Sequence, residues 1–342
     1  MNKKYLFFFI SILALMIGIY SKNYYQNIFG ELVTKDGAIY IGSNDTMNDV
    51  EIELIEFIGK ENNFYWLAQK KKYLNTKTGK YILTKGMSLN DVINLLRSGN
   101  QTPIKLSFNN QDTLEEFSGR ISSQIDADSI AILKSFTDSI FLKKNKLTKT
   151  SVLGIIIPNT YEFYWNTSVE KFRNRILNEF TKFWNKDRLS EAIRINMTPA
   201  EVMTLASIVQ KETTKIKERP IVAGLYLNRI KRGIPLQADP TIIYILKQQK
   251  STNFKVKRVL YKDLKIKSPY NTYLHRGLPP SLIAMPDISS IDAVLNYKKH
   301  SYIYMCASIE RIGFHEFANT LRQHNRNATK YQKWLSKQGI NR

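Results

Sequence analysis

Glu212 is the residue whose type and position most directly predict chemistry in this sequence. It lies near the end of TPAEVMTLASIVQKET (198–213), where Val202, Leu205 and Val209 share one helical face at about 100° per residue and Glu212 falls on its edge. A carboxyl group beside apolar neighbours loses hydration, so its pKa rises and it keeps its proton near neutrality, as a general acid must. The alternative is that Glu212 points into solvent at the helix C-terminus, where the helix dipole disfavours its charge.

The helix that carries Glu212 has well-defined start signals. Thr198 is predicted as the N-cap, Pro199 as the first helical residue, and Glu201 as the residue that completes a capping box. Glu218 follows Glu212 closely but is flanked by a lysine and an arginine. We therefore expect Glu218 to matter much less than Glu212.

Three later segments have a composition typical of a sugar-binding cleft. They are RGIPLQADPTIIY (232–244), SPYNTYLHRGLPPSLIAMP (268–286) and FHEFANTLRQHN (314–325). Polar and aromatic side chains stand here among proline-punctuated turns. Because tyrosine faces stack on pyranose rings and amides hydrogen-bond to hydroxyls, these segments predict a carbohydrate site.

Two residues of these segments each have two interpretations. Asp239 is either the partner carboxylate of a conventional two-carboxylate hydrolase or a turn residue that caps a helix starting at Thr241. His315 either contacts substrate or packs under the preceding strand. A zinc role is disfavoured, because HEFAN has Asn319 where the HExxH motif has its second histidine.

Metal and cofactor chemistry is not expected. The four histidines and Cys306 show no close ligand spacing, so the sequence predicts no metal site and no organic cofactor. Cys306, the single cysteine, is expected to be a small buried hydrophobe.

The composition indicates a folded protein that attracts polyanions. Apolar residues make up 43% of the 342 residues, and the net charge is +22. The basic residues are scattered in pairs and triplets, with no arginine-dense arm and no recognised nucleic-acid motif. A solvated lysine face, anionic lipid and an acidic wall polymer all remain compatible with this charge.

Residues 1–22 predict a membrane anchor. An apolar run from Tyr5 to Tyr20 follows two lysines, and its exit lacks the small residues of a signal-peptide cleavage site. The run covers about 24 Å as a helix, short of a hydrocarbon core of ~30 Å, but tyrosines at both ends suit the interfaces. The N-terminal lysines outnumber Lys22, so we expect the N-terminus in the cytoplasm and the rest outside, away from cytosolic nucleic acid.

The remainder of the chain predicts an α+β fold. We expect a linker (23–37), a small α/β module (38–102) and a helix-rich α+β domain (103–342). The best-marked helix of the module starts after Ser88, has Asp91 at the capping-box position and ends at Gly99.

Taken together, the motifs resemble those of the endolytic murein transglycosylases of the YceG-like (MltG) group. The matching segments are LASIVQKET with Glu212, LNRI (227–230), LQADPTIIY (236–244), SPYNTY (268–273), GLPPSLIAMP (277–286) and H-x-F-x-x-T-x-x-x-H-N (315–325). Two stretches depart from the family pattern. Asn109 and Asn110 replace a common Glu-Gly, and Leu153-Gly154 replaces another before the Pro-Asn-Thr-Tyr of 158–161.

The resemblance implies cleavage within the glycan strands of peptidoglycan, with Glu212 as the single general acid/base. The C6 hydroxyl of N-acetylmuramic acid (MurNAc) would attack its own anomeric carbon at the bond to N-acetylglucosamine (GlcNAc), leaving a 1,6-anhydro end. A tethered nucleophile takes the place of a second carboxylate. The predicted substrate contacts are Gln237, Asp239, Tyr270, Asn271, Thr272, Tyr273, His315 and Asn319.

The resemblance also implies location and partners. We expect a single-pass enzyme of the cytoplasmic membrane with its catalytic domain on the outer face, and a LysM-like module at 38–102. Glycan strands and the membrane are the expected partners, and cell-wall synthases or division proteins are further candidates. The alternative is a non-catalytic peptidoglycan-binding or cell-division scaffold, against which the intact block around Glu212 argues.

Overall fold

The computed structural model describes residues 3–60, 62–250, 256 and 258–338. The chain divides into two compact units: unit 1 (Met1–Leu106, Ser122–Asp128 and Tyr161–Ser168) and unit 2 (Ser107–Ile121, Ser129–Thr160 and Val169–Arg342). The predicted helix-rich α+β class is confirmed, because the described residues contain many helices and three separate two-stranded sheets. The LysM-like character of the module stays a prediction.

Unit 1 is a small α/β body. Its elements are α1 (Lys3–Phe29), β1 (Gly37–Ile41), α2 (Met47–Ile58), α3 (Phe64–Lys70), β2 (Gly79–Leu83) and α4 (Leu89–Ser98). Strands β1 and β2 are antiparallel, with Gly37 opposite Leu83. The predicted capping box of α4 is confirmed: Ser88 Oγ accepts from the Asp91 N–H at 3.2 Å, and the Asp91 carboxylate accepts from the Ser88 N–H at 3.1 Å.

Helix α1 is longer than the predicted anchor. It runs to Phe29, so residues 23–29 of the predicted linker are helical. Its 27 residues span about 40 Å, which exceeds a hydrocarbon core of ~30 Å. The large apolar side chains from Tyr5 to Tyr20 are exposed, and within the described residues α1 is the one helix long and apolar enough to cross a membrane.

The remaining elements belong mainly to unit 2. They are β3 (Ile104–Phe108), α5 (Leu114–Ser122), α6 (Ser129–Phe136), α7 (Ser139–Lys144), β4 (Asn159–Phe163), α8 (Val169–Phe183), α9 (Lys186–Arg194), α10 (Pro199–Glu212), α11 (Arg219–Lys231), α12 (Asp239–Lys250), α13 (Ile288–Leu295), β5 (Tyr304–Ala307), β6 (His315–Ala318) and α14 (Leu321–Lys337). Short 3₁₀ turns lie at Val152–Ile155, Ile216–Glu218 and Asp263–Lys265. Strands β3 and β4 pair with each other, as do β5 and β6.

Helix α10 is buried on all sides rather than on one face. The predicted N-cap and capping box at Thr198 and Glu201 are confirmed, but every residue from Val202 to Gln210 is buried. The helix packs against α11, α12 and α13. The one-sided apolar face predicted from the sequence therefore understates its burial, and Glu212 lies at the end of a core helix.

Two buried polar residues of α10, Ser207 and Gln210, are paired with the segment that leads into α13. Ser207 Oγ accepts from the Ile283 N–H at 3.1 Å. The Gln210 side chain accepts from the Asp287 N–H at 2.6 Å and donates to the Met285 carbonyl at 3.1 Å. Because buried polar groups need partners, these bonds hold the GLPPSLIAMP segment against α10.

The β5–β6 hairpin and α14 form one packed layer of unit 2. Ala307 is opposite His315 in the antiparallel register, and α14 packs on both strands. The HEFA sequence forms strand β6, so His315 and Asn319 do not share a helical face as in a zinc HExxH motif.

Candidate active site

Glu212 faces a cavity of about 450 Å³ within unit 2. It is the last residue of α10, and the chain turns away at Thr213 with φ −139° and ψ 133°. Tyr226 of α11 donates its hydroxyl to Glu212 Oε1 at 2.6 Å. Tyr226 is only 1% exposed, so this bond is made inside the protein.

The surroundings of Glu212 raise the pKa of its carboxyl group. Burial raises the pKa of Glu212 to about 7, although the Tyr226 hydrogen bond and the charge of His315 act in the opposite direction. Asp239 raises the pKa further. The raised pKa expected from apolar neighbours is therefore found, and the carboxyl can both donate and accept a proton near neutrality.

His315 lines another wall of the cavity and is paired with the buried Glu218 behind it. His315, the first residue of β6, donates from its backbone N–H to Glu218 Oε1 at 2.7 Å and from Nδ1 to Glu218 Oε2 at 2.9 Å. Burial alone would lower the pKa of His315, but the bond to Glu218 and the charges of Glu218 and Glu212 raise it above its ordinary value. Because Nδ1 is bound to Glu218, Nε2 is the ring nitrogen that remains for the cavity.

Glu218 contacts the site more closely than its sequence context indicates. A lysine and an arginine flank it in the sequence, but it is 3% exposed and accepts both hydrogen bonds from His315. Burial would raise the pKa of Glu218, yet the His315 bonds keep it below its ordinary value. The 3₁₀ turn before α11 points the carboxylate inward.

Arg229 of α11 also lines the cavity and holds neighbouring segments in place through hydrogen bonds. It is 6% exposed and donates to the carbonyls of Pro235 at 2.9 Å and Ile303 at 2.8 Å. Its third bond goes to Gln237 Oε1 at 2.5 Å. Gln237 adopts a left-handed backbone (φ 52°), which is uncommon outside glycine and is held by its N–H bond to the Thr272 carbonyl. The predicted contact Gln237 thus lines the cavity, with its amide oxygen already engaged.

Asp239 and Tyr273 also line the cavity. Helix α12 begins at Asp239 itself, and Asp239 Oδ1 accepts from the Tyr273 hydroxyl at 2.5 Å. This corrects the predicted capping role for a helix starting at Thr241. Burial and the bond to Asp239 raise the pKa of Tyr273 far above its ordinary value, so its hydroxyl stays protonated.

Four predicted contacts do not line the cavity. Asn271 is fully buried and donates to the carbonyls of residues 264 and 266, which shapes the loop. Thr272 Oγ1 accepts from the Ala238 N–H at 3.0 Å, and the Tyr270 hydroxyl bonds to Ser281 Oγ at 2.6 Å. Asn319 is exposed just before α14. Asn271 and Thr272 therefore position their neighbours Tyr273 and Gln237.

Several wall residues were missed or misjudged from the sequence. Tyr226 and Arg229 lie one helical turn apart in α11, a spacing that could have placed them together on one face. His324 and Asn325 line the cavity from α14. Cys306 was expected to be fully buried, but it is partly exposed in the cavity wall on β5.

Comparison with known proteins finds relatives that align along most of the chain. Residues 39–330 match the YceG-like family. The chain is 30% identical over 292 residues to the endolytic murein transglycosylase of Bacillus subtilis (strain 168), covering 81% of this chain and 79% of that protein. It is 26% identical to the protein of that name from Streptococcus pneumoniae (serotype 2, strain D39), covering 78% of this chain but 53% of the pneumococcal protein.

A solved structure also aligns along most of the chain. The crystal structure of a yceG-like protein from Listeria monocytogenes has a TM-score of 0.58 and 27% identity, and the match covers 85% of this chain and 98% of that one. The family match spans well over half of the sequence. The chain belongs to the YceG-like family.

Proposed function

We propose that this protein is an endolytic lytic transglycosylase that cleaves MurNAc–GlcNAc bonds within peptidoglycan strands. The observation that carries the proposal is Glu212, whose pKa burial raises to about 7 at the wall of a cavity of about 450 Å³. A single carboxyl of this kind can give and take a proton within one reaction. Relatives named endolytic murein transglycosylase support the choice of substrate and reaction.

The reaction needs one proton donor that then becomes a base. Because Tyr226 donates to Oε1, the acidic proton of Glu212 is carried by Oε2. Glu212 gives this proton to the glycosidic oxygen as the C1–O bond breaks. The C6 hydroxyl then forms the new C1–O6 bond and returns its proton to Glu212, so no water is consumed. Holding the nucleophile on the same ring supplies the advantage of an intramolecular reaction.

The other wall residues have supporting roles in this proposal. His315, oriented by Glu218 through Nδ1, presents Nε2 to the substrate, and the raised pKa of His315 favours its cationic form, which stabilises negative charge near Glu212. Gln237 offers an amide N–H to sugar hydroxyls. Tyr273 donates its proton to Asp239, so it offers its hydroxyl oxygen as an acceptor.

A two-carboxylate hydrolysis is the second candidate, because Asp239 lines the same cavity as Glu212. The products separate the two reactions. Incubation of purified peptidoglycan with the protein, followed by mass spectrometry, should give 1,6-anhydro-MurNAc ends that are lighter by one water than hydrolysed ends. Reducing ends would select hydrolysis, and no new ends at all would favour a binding scaffold.

We further propose that α1 anchors the protein in the cytoplasmic membrane with units 1 and 2 on the outer face. The supporting observation is an exposed apolar helix preceded by lysines. A reporter fused after Arg342 should be active only outside the membrane, and cytoplasmic reporter activity would refute both the orientation and the substrate. Deleting residues 1–22 should release a soluble protein that still cleaves strands.

A further inference from the structure

Helix α14 carries a row of basic side chains along one face. The row consists of Arg322, Arg326, Lys330, Lys333 and Lys337. At 100° per residue these five positions fall within an arc of about 80°, and all five side chains are exposed. The helix contains no Asp or Glu. None of the ion pairs found among the described residues involves this basic row.

The stability of α14 does not explain the basic row. Like charges four residues apart on a helix repel each other, as Arg322, Arg326 and Lys330 do here. The helix dipole favours cations in the last turn, where Lys337 lies, but disfavours them near the start, where Arg322 lies. The arrangement is therefore costly for the isolated helix and fits an external anion.

The basic row begins at the wall of the active-site cavity. Leu321 and Asn325 line the cavity that contains Glu212, and the same two residues belong to an exposed face of α14. The rest of that face consists of Arg322, Arg326, Thr329 and Lys330. From its first to its last residue the row extends about 22 Å at the helical rise, the length of several sugar rings.

We propose that the basic row of α14 binds the carboxylates that a peptidoglycan strand carries along its length, so that the strand is held where it leaves the cavity. This inference rests on the proposed function. Each MurNAc bears a lactyl ether that ends in a carboxylate, free or joined to a peptide with carboxylates of its own. Lys and Arg form charge-assisted hydrogen bonds with such groups, and a row of them attracts a polyanion at long range.

Anionic lipid is the rival occupant, because the protein also carries a membrane-type helix. Lipid headgroups would require a basic face but not one that begins at the wall of the cavity containing Glu212. The shared wall residues Leu321 and Asn325 therefore favour the glycan strand.

The test compares strands that differ only in charge. The variant Arg326→Gln/Lys330→Gln/Lys333→Gln removes three cations from the row and leaves the cavity wall intact. The control Lys143→Gln/Lys144→Gln/Lys149→Gln removes three exposed cations that do not line the cavity. The substrates are peptide-bearing strands, peptide-free strands with free lactyl carboxylates, and peptide-free strands whose carboxylates have been converted to methylamides.

At low salt the row variant should lose about 10-fold in kcat/KM on carboxylate-bearing strands, mainly through KM, and the loss should shrink as salt rises. The methylamide strands should be cleaved equally by wild type and variant, and the control should behave as wild type. A loss confined to peptide-bearing strands would mean that the row binds the peptide carboxylates. A loss confined to peptide-free strands would mean that it binds the lactyl carboxylates.

Two results would overturn the inference. One is an equal loss on methylamide strands. The other is unchanged cleavage of carboxylate-bearing strands, with binding lost instead to vesicles that contain anionic phospholipid. Dissociation constants for the same strands are measured in parallel. If wild type cleaves no strand, the proposed function is refuted, and the dissociation constants still decide whether the basic row binds carboxylates.

Discussion

Replacing Glu212 by Gln should remove activity and stabilise the fold at the same time. With its pKa raised from 4.5 to about 7, the carboxyl is about half protonated at pH 7. An ordinary glutamate would be protonated to only about 0.3% there, so burial raises the population of the acid form more than about 100-fold. Gln keeps the shape and can still accept the Tyr226 hydrogen bond, but it cannot transfer a proton. We expect strand cleavage to fall by about 10² to 10⁴-fold.

The stability gain follows from the same raised pKa. Between pH 4.5 and pH 7 the folded protein keeps the Glu212 proton that the unfolded chain releases. Stability is therefore lost as the pH rises through this range, by up to about 3 kcal/mol above pH 7. Because Gln does not ionise, the advantage of Glu212→Gln over wild type should be small at pH 5 and near its maximum at pH 8.

Thermal unfolding at the two pH values, together with mass spectrometry of released strand ends, tests both effects. Glu310→Gln makes the same chemical change at an exposed position between β5 and β6, and should alter neither activity nor stability. Retention of activity within about 10-fold of wild type would refute the catalytic assignment. An advantage that does not grow from pH 5 to pH 8 would refute the buried, proton-holding environment.

Three further predictions address the neighbours of Glu212. Tyr226→Phe removes a hydrogen bond that lowers the pKa of Glu212, so the fall of kcat/KM at alkaline pH should move to higher pH; an unmoved profile would contradict this. Glu218→Gln should reduce cleavage by about 10 to 100-fold because His315 loses its orientation, and NMR titration should show the pKa of His315 falling. Asp239→Asn keeps an acceptor for Tyr273 and should leave anhydro products with less than about 10-fold loss of rate, whereas loss of nearly all activity would favour hydrolysis.

The parts of the structure that the sequence predicted depend on local chemistry. The capping boxes at Ser88 and Thr198 need only residues within one turn, so their spacing is sufficient. The raised pKa of Glu212 could be anticipated because apolar residues one turn away on the same helix reduce its hydration. The end of α1 was missed because residues 23–29 are polar enough to resemble a linker while still being helical.

The site contacts that were missed join residues far apart in the chain. Glu218 meets His315 across 97 positions, and Arg229 meets Ile303 across 74. No local pattern encodes such pairs. Asn271 and Thr272 were misjudged for the opposite reason, because their polarity resembles sugar binding but satisfies backbone groups within a buried loop.

The two glutamates at the end of α10 and the start of α11 show how burial alone does not decide a protonation state. Both lose hydration, yet the pKa of Glu212 is raised to about 7 while that of Glu218 is lowered. The difference lies in their partners: Glu212 receives one neutral hydroxyl from Tyr226, whereas Glu218 receives two N–H bonds and the positive charge of His315. When their environments shift the pKa values of two neighbouring carboxyls in opposite directions, one carboxyl can act as an acid and the other is favoured as an anion. In the proposed reaction Glu212 is therefore the group that exchanges a proton with substrate, and Glu218 is the group that orients His315 and raises its pKa.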